Sequence, residues 1–400
     1  MDGPAPPGPA PGSGAADTLS GGTAGGARRS DQPGANVIRQ MRYLAAFVAV
    51  VAVVVVVAAR QPAGATSEGP LFGVVNGSLG LSSSDAERMR SGRVGEVRWF
   101  LYWQLIEPRR GDYRWGPVDA LIGNLASRGI PVLPVLYGSA PYAAKTPETP
   151  PLGSSAARRG WERFVRAAVA RYGPGGTYWT DPRLYGAQHP GAPEVPVTAW
   201  QVWNEPNLIH YFNPRPSVKK YARLLRISDA AVREVDPSAQ IILAGMPGLS
   251  ELHAWTFLAR LYRIPGIRSD FDAVALHPYS PTLQDLRSQI RRTRAVMRSH
   301  GDSETPLWLT ELGWASGRPQ GGHGVQKGPE GQARMLTRAF TLVRDHANAW
   351  RIDRFFWFEW RDPPAGSQGN CTFCRSSGLV ARGGRTKPSW LAFKRFTGAS

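Results

Sequence analysis

The chain has 400 residues, of which 42% are hydrophobic, and a formal net charge of +18. This is enough apolar material for a sizeable core, which excludes a wholly disordered chain and allows one large domain or two ordinary ones. The basic excess suits an anionic partner, but the arginines are scattered along helical stretches and no nucleic-acid motif occurs, so a nucleic-acid binder is set aside. A basic surface would instead attract an acidic polysaccharide or anionic headgroups, an attraction that moderate salt screens.

In chain order, residues 1–36 are rich in Pro, Gly, Ala and Ser without apolar periodicity, and are expected to be a disordered cytoplasmic tail. Residues 43–59 form an uninterrupted apolar run between Arg42 and Arg60, covering roughly 25 Å as a helix. Arg28, Arg29, Arg39 and Arg42 precede it, so the positive-inside rule keeps the N-terminus cytoplasmic and exports the rest. The run reads either as a retained transmembrane signal anchor or as a signal peptide, with a cleavage site near Ala65. The expected location is the cell membrane, single-pass with the folded domain outside the cytoplasm, or secretion after cleavage. Residues 60–70 are a linker, and one domain is expected over 71–400.

Eight short apolar runs in that domain suit strands buried on both faces: 71–75, 97–102, 131–136, 198–203, 241–245, 271–276, 307–310 and 355–358. Helical patterns lie between them. Ser84 and Glu87 suggest a capping box for the first helix. Pro117 opens the second, with Val118, Leu121, Ile122 and Leu125 on one face and Gly129 at its end. Trp161, Phe164, Val165, Ala168 and Tyr172 share a face of the third, stopped by Gly173. Later helices are expected to start near Ser217, Leu249, Pro281, Glu330 and Lys387. Strand and helix alternate eight times, which predicts a single (β/α)8 barrel of the α/β class. An open doubly wound sheet is less suited, because no glycine-rich phosphate loop follows the first strand.

Two strands end in carboxylates. Trp200-Gln201-Val202-Trp203 runs into Asn204-Glu205-Pro206-Asn207, where proline ends the ladder. Leu307-Trp308-Leu309-Thr310 delivers Glu311. Barrel chemistry sits at the C-terminal ends of strands, so the fold would bring together two glutamates that are far apart in sequence. A pair of carboxylates at that rim meets the needs of acid/base cleavage of a glycosidic bond. Arg98, in the second strand, needs a carboxylate partner if buried.

The motifs Trp203-Asn204-Glu205-Pro206-Asn207 and Leu309-Thr310-Glu311 resemble those of glycoside hydrolase clan A, nearest in style to family 39 and related bacterial exopolysaccharide endoglycosidases. The resemblance covers 71–400. It implies a TIM-barrel retaining glycosidase with Glu205 as acid/base and Glu311 as nucleophile. It implies that Asn204 bonds the sugar 2-hydroxyl, where capping the next helix is the structural alternative. It further makes Tyr279 a hydrogen-bond donor to the nucleophile, sets His277 in the same subsite, and gives Arg98 the neighbourhood of Glu311. Trp357, or else Phe358 or Trp360, would be the aromatic floor under the reacting sugar. Trp103, Tyr137, Tyr142 and Trp314 are stacking candidates, with core packing as the equal alternative. Glu107 is expected to shape its loop rather than react. Rim loops 140–155 and 315–331 would wall a cleft, whereas 174–196 precedes the fourth strand and belongs to the opposite face.

Cys371 and Cys374 are the only cysteines. An exported domain permits a disulfide between them. A zinc site would need further Cys or His nearby, and no metal or organic cofactor is expected. The expected partners are a polysaccharide or oligosaccharide and, through the N-terminal segment, a membrane, with no nucleic acid and a monomeric state. Two other readings use the same cleft: a non-catalytic glycan-binding barrel, and a transglycosylase working through the same carboxylates.

Overall fold

A computed structural model describes residues 70–319, 324–366 and 371–399. The expected tail, the apolar run 43–59 and nearly all of the linker lie outside the described residues. Among those that are described, no helix is long and apolar enough to cross a membrane.

Nine strands form one parallel sheet: β1 Leu71–Asn76, β2 Val97–Tyr102, β3 Val132–Tyr137, β4 Ala199–Val202, β5 Gln240–Ile242, β6 Met246–Pro247, β7 Val274–His277, β8 Leu307–Leu312 and β9 Ile352–Trp357. The order is β5-β4-β3-β2-β1-β9-β8-β7-β6. A parallel bridge between Ile242 and Ala273, with Leu243 N–H on the Ala273 carbonyl at 3.0 Å, joins the ends. The sheet therefore curls as an α/β barrel does. Nine strands replace the expected eight because the fifth, expected over 241–245, is interrupted at 243–245 and becomes β5 and β6.

Eight principal helices follow: α1 Ser83–Ser91, α2 Gly116–Ala126, α3 Ser155–Tyr172, α4 Val218–Val235, α5 Ala254–Tyr262, α6 Leu283–Ser299, α7 Gly328–Trp350 and α8 Pro388–Phe396. Their starts obey local capping chemistry. Ser154, Ser217 and Thr282 accept from backbone N–H groups in the first turns of α3, α4 and α6. The cap of α1 is Ser82, which accepts from the Asp85 N–H, and not the expected pair Ser84 and Glu87. α5 begins at Ala254 rather than near Leu249, because the Pro247 and Leu252 carbonyls and Ser250 Oγ are drawn to the Asn207 amide. Segment 174–196 carries two short helices, Thr177–Thr180 and Tyr185–Gln188, and Tyr178 pins it to α2 by donating to the Asp119 carbonyl at 2.7 Å.

Inside the barrel, Val75, Leu133, Ala199, Ile242, Ala273, Ala275, Trp308 and Phe356 form an apolar plug. The larger core lies between sheet and helices. Side chains alternate along a strand, so those two or more positions beyond the plug rise toward the C-terminal rim. Gln201, His277 and Thr310 stand two residues beyond Ala199, Ala275 and Trp308 and are fully buried, as is Arg98, whose register partners are Val75 and Leu133.

Candidate active site

β8 brings the first carboxylate inward by an irregularity. Trp308 and Thr310 face the barrel interior, so strict alternation would aim Glu311 outward. The register shifts between Leu309 and Leu312, and Glu311 turns in. β4 ends with Trp203 at φ 70° and Glu205 at φ 42°. Left-handed backbone is uncommon for residues with side chains, and two such residues around Asn204 mark a tightly specified corner. The Glu205 N–H donates to the Gly245 carbonyl at 3.0 Å, tying that corner to the gap between β5 and β6.

Arg98 is the hub. Its Nη1 donates to Glu311 Oε1 at 2.6 Å, its Nη2 to Asn204 Oδ1 at 2.9 Å and its Nε to Gln201 Oε1 at 2.6 Å. A buried guanidinium needs its charge met and its N–H groups engaged, and this arrangement does both. Because Arg98 can only donate, it orients the Asn204 amide and leaves the Nδ2 hydrogens as what Asn204 offers a ligand. No helix begins at Asn204, so it does not act as a cap. Tyr279 donates to the other oxygen of Glu311 at 2.8 Å, so both oxygens of this carboxylate are met.

His277 lies beside both glutamates and nearer to Glu205. Its Nδ1 lies 2.7 Å from Glu205 Oε1 and its Nε2 3.0 Å from Thr310 Oγ1, whereas Glu311 is 3.6 Å away. It therefore serves the Glu205 side of the pair. Burial, and secondarily the charge of Arg98, push the imidazole well below its ordinary range, so the ring is neutral and its contact with Glu205 is a hydrogen bond rather than an ion pair. Burial first, and then the charge of Glu311, push Glu205 well above the usual carboxylate range, with Arg98 opposing. One donor atom each of Glu205, His277 and Glu311 lie within 4.8 Å of one another. Such spacing would also suit a divalent ion. However, Arg98 already sets a positive charge against Glu311, and Tyr279 takes its second oxygen.

The three tryptophans expected to contact sugar belong to the core. Trp103 is fully buried, donates to Glu107 Oε2 at 2.6 Å and packs on Trp161 and Phe164. Trp314 is fully buried against Trp357. Trp357 alternates with the inward Phe356, so it faces α7, packs on Phe340 and donates to the Ser377 carbonyl at 3.1 Å. Trp360 is buried on Trp390 of α8. The aromatic at the end of β9 that lies beside Tyr279 is Phe358, edge-on to it at 5.9 Å. Tyr142 packs edge-on against Trp103. Glu107 also accepts the Gly111 N–H at 2.8 Å and does shape its loop.

Several neighbours escaped the sequence reading. Tyr102 is one, and with Phe100 it forms an aromatic wall beside the stacking candidate Tyr137. Tyr211 joins Tyr137 at 6.3 Å. The charge of Glu205 pushes the Tyr211 phenol up, and burial pushes that of Tyr102 up to about 12. Gln201 and Thr310 were hidden inside apparently apolar strands. Glu359 follows a cis Phe358–Glu359 peptide and is buried, 3.5 Å from Ser377 Oγ. Burial, then the charges of Glu311 and Asp362, push its carboxyl up to about 8. The disulfide joins Cys371 and Cys374, with a Cα–Cα separation of 5.4 Å.

Comparison with known proteins supports a glycosidase. A family profile described as glycosyl hydrolase catalytic core matches residues 188–386. The chain is 26% identical over 226 residues to a beta-xylosidase of Geobacillus stearothermophilus, covering 52% of this chain and 42% of that protein. Among solved structures, a family 39 glycoside hydrolase from Bacteroides cellulosilyticus WH2 is similar with TM-score 0.57 and 21% identity, covering 82% of this chain and 63% of that one. A monomeric beta-xylosidase from Caulobacter crescentus CB15 is similar with TM-score 0.58 and 18% identity, over 85% of this chain and 70% of that one. The chain thus spans less than half the length of the curated relative.

Proposed function

We propose that this chain, a glycosidase of the family 39 kind, cleaves β-glycosidic bonds of an extracellular or cell-envelope polysaccharide with retention of configuration. The observation that carries the reading is the approach of the two carboxylates, one oxygen of each lying within 4.8 Å of the other. Retaining enzymes hold their carboxyls about 5 to 5.5 Å apart, whereas inverting enzymes leave room for a water at roughly 6.5 Å or more.

In the first step Glu311 attacks the anomeric carbon, the bond to the leaving oxygen breaks, and Glu205 gives that oxygen its proton. In the second step Glu205 takes a proton from water, the hydroxide oxygen bonds the anomeric carbon, and Glu311 leaves as carboxylate. A carboxyl kept protonated by burial suits the first role of Glu205. Neutral His277 orients it without supplying a charge that would ionise it. As Glu311 loses its charge to the covalent bond, the pull it exerts on Glu205 falls, which favours the switch from acid to base. Asn204 turns its Nδ2 hydrogens to the sugar, and Phe358, Tyr102 and Tyr137 line the cleft. The protein acts as a monomer outside the cytoplasm, either held by residues 43–59 or released by cleavage near Ala65.

The test is reducing-end release across plant, bacterial and host polysaccharides, with β-xylosides included because the curated relative is a beta-xylosidase. Glu205→Gln and Glu311→Gln run beside the wild type. Loss of release in both supports the assignment, and release that survives in both removes it. Cell fractionation with protease added from outside tests the location, and a domain digested only after lysis would contradict it.

A further inference from the structure

The disulfide pair has no part in the chemistry above, yet it closes a loop at the edge of the site. Phe373 lies between the two cysteines, partly exposed, with its ring 5.2 Å from that of Tyr279 and edge-on to it. Tyr279 is therefore held between Phe373 on one side and Phe358 on another, while its hydroxyl donates to Glu311. The loop is anchored firmly on its C-terminal side. Ser376 N–H donates to the Phe373 carbonyl at 3.1 Å and Ser377 Oγ to that of Cys374 at 3.1 Å. The Ser376 carbonyl in turn accepts from Ser316 N–H at 2.8 Å and Lys387 Nζ at 3.0 Å. Cys374 is thus a fixed post, and the disulfide brings Cys371 back to it across Phe373.

An aromatic ring that is partly open, rigidly presented and next to the nucleophile's tyrosine has the chemistry of a sugar platform. We infer that Phe373 contacts the sugar beside the cleaved bond and that the Cys371–Cys374 disulfide holds it there, so the bond sets substrate affinity. The inference rests on the glycosidase reading. A dithiol breaks the S–S bond by transferring two electrons and two protons, leaving two cysteine thiols and the cyclic disulfide of the reagent. Phe373 then loses the restraint that the disulfide supplies. The chain has only two cysteines, so such a reagent has a single target.

The experiment compares wild type, Phe373→Ala and Phe373→Tyr on 4-nitrophenyl β-glycosides and the matching oligosaccharides, with and without dithiothreitol. Phe373→Ala is expected to raise KM by roughly three- to tenfold with little change in kcat, and Phe373→Tyr to restore it. Dithiothreitol is expected to move wild-type KM toward the Phe373→Ala value and to leave Phe373→Ala unchanged. Equal effects of the reagent on both proteins, or an unaltered KM in Phe373→Ala, overturn the inference. Oligosaccharide affinity is also measured by tryptophan fluorescence in Glu311→Gln and in Glu311→Gln with Phe373→Ala, which judges Phe373 without turnover. Turnover that persists in Glu311→Gln counts against the proposed mechanism alone, and equal oligosaccharide affinity in those two proteins counts against Phe373 alone.

Discussion

Arg98 shows how one residue organises the site. It is fully buried, and its three guanidinium nitrogens donate to Glu311, Asn204 and Gln201. Arg98→Met would leave a buried carboxylate without its cation, a change that costs about 3–5 kcal/mol in comparable buried pairs. We expect a lowered melting temperature and loss of most activity, read by thermal unfolding and by turnover. Glu205 has a signature in pH. Its ordinary value is 4.5, and the folded protein keeps it protonated well above that. Between the two values the folded state holds a proton that the unfolded state has released, so this group makes stability fall as pH rises through the window. Glu205→Gln has no such proton. Its melting temperature is expected to exceed that of wild type by a margin that grows from pH 4.5 upward and levels off above the folded value. Glu359→Gln is expected to do the same over the window from 4.5 to about 8. A margin that shrinks with rising pH contradicts both assignments. At this scale the sequence read Glu311 as the partner of Arg98 and Tyr279 as its donor, and both contacts are present. It misplaced Trp357, although the alternation from inward Phe356 already points its neighbour outward.

The elements explain why other parts were illegible. Glu311 faces inward only because β8 shifts register between Leu309 and Leu312, and an extra half-step in a strand leaves no mark in an apolar run. The fifth strand breaks at 243–245, where Gly245 packs against β7. A Cβ at Gly245 would collide with His277 Nε2 and Thr310 Oγ1. Gly245→Ala is therefore expected to displace His277 and cut kcat/KM while the barrel still folds, checked by kinetics beside circular dichroism. Trp103 gives the opposite expectation. Its indole packs under the loop after β2 and satisfies Glu107, so Trp103→Ala should destabilise the protein by about 3–5 kcal/mol, as large core deletions do. KM at a temperature where the variant is folded should stay close to wild type. A KM increase without destabilisation would return Trp103 to the cleft.

On the scale of the whole molecule, barrel architecture was legible because strands buried on both faces alternate with amphipathic helices from Leu71 to Phe396. The irregular loops at the rim were not, because their form depends on contacts distant in sequence, such as Asn207 with the loop before α5. Closure of that barrel brings the ends of β4 and β8 together and gives the central claim its geometry. The most direct test of that claim is the stereochemistry of the first product. Proton NMR would follow the anomeric signals immediately after the enzyme meets a β-linked substrate that it cleaves. The account predicts that the β-anomer forms first and that the α-anomer rises only at the rate of mutarotation. An α-anomer formed first would mean inversion, and Glu311 could not then be the nucleophile.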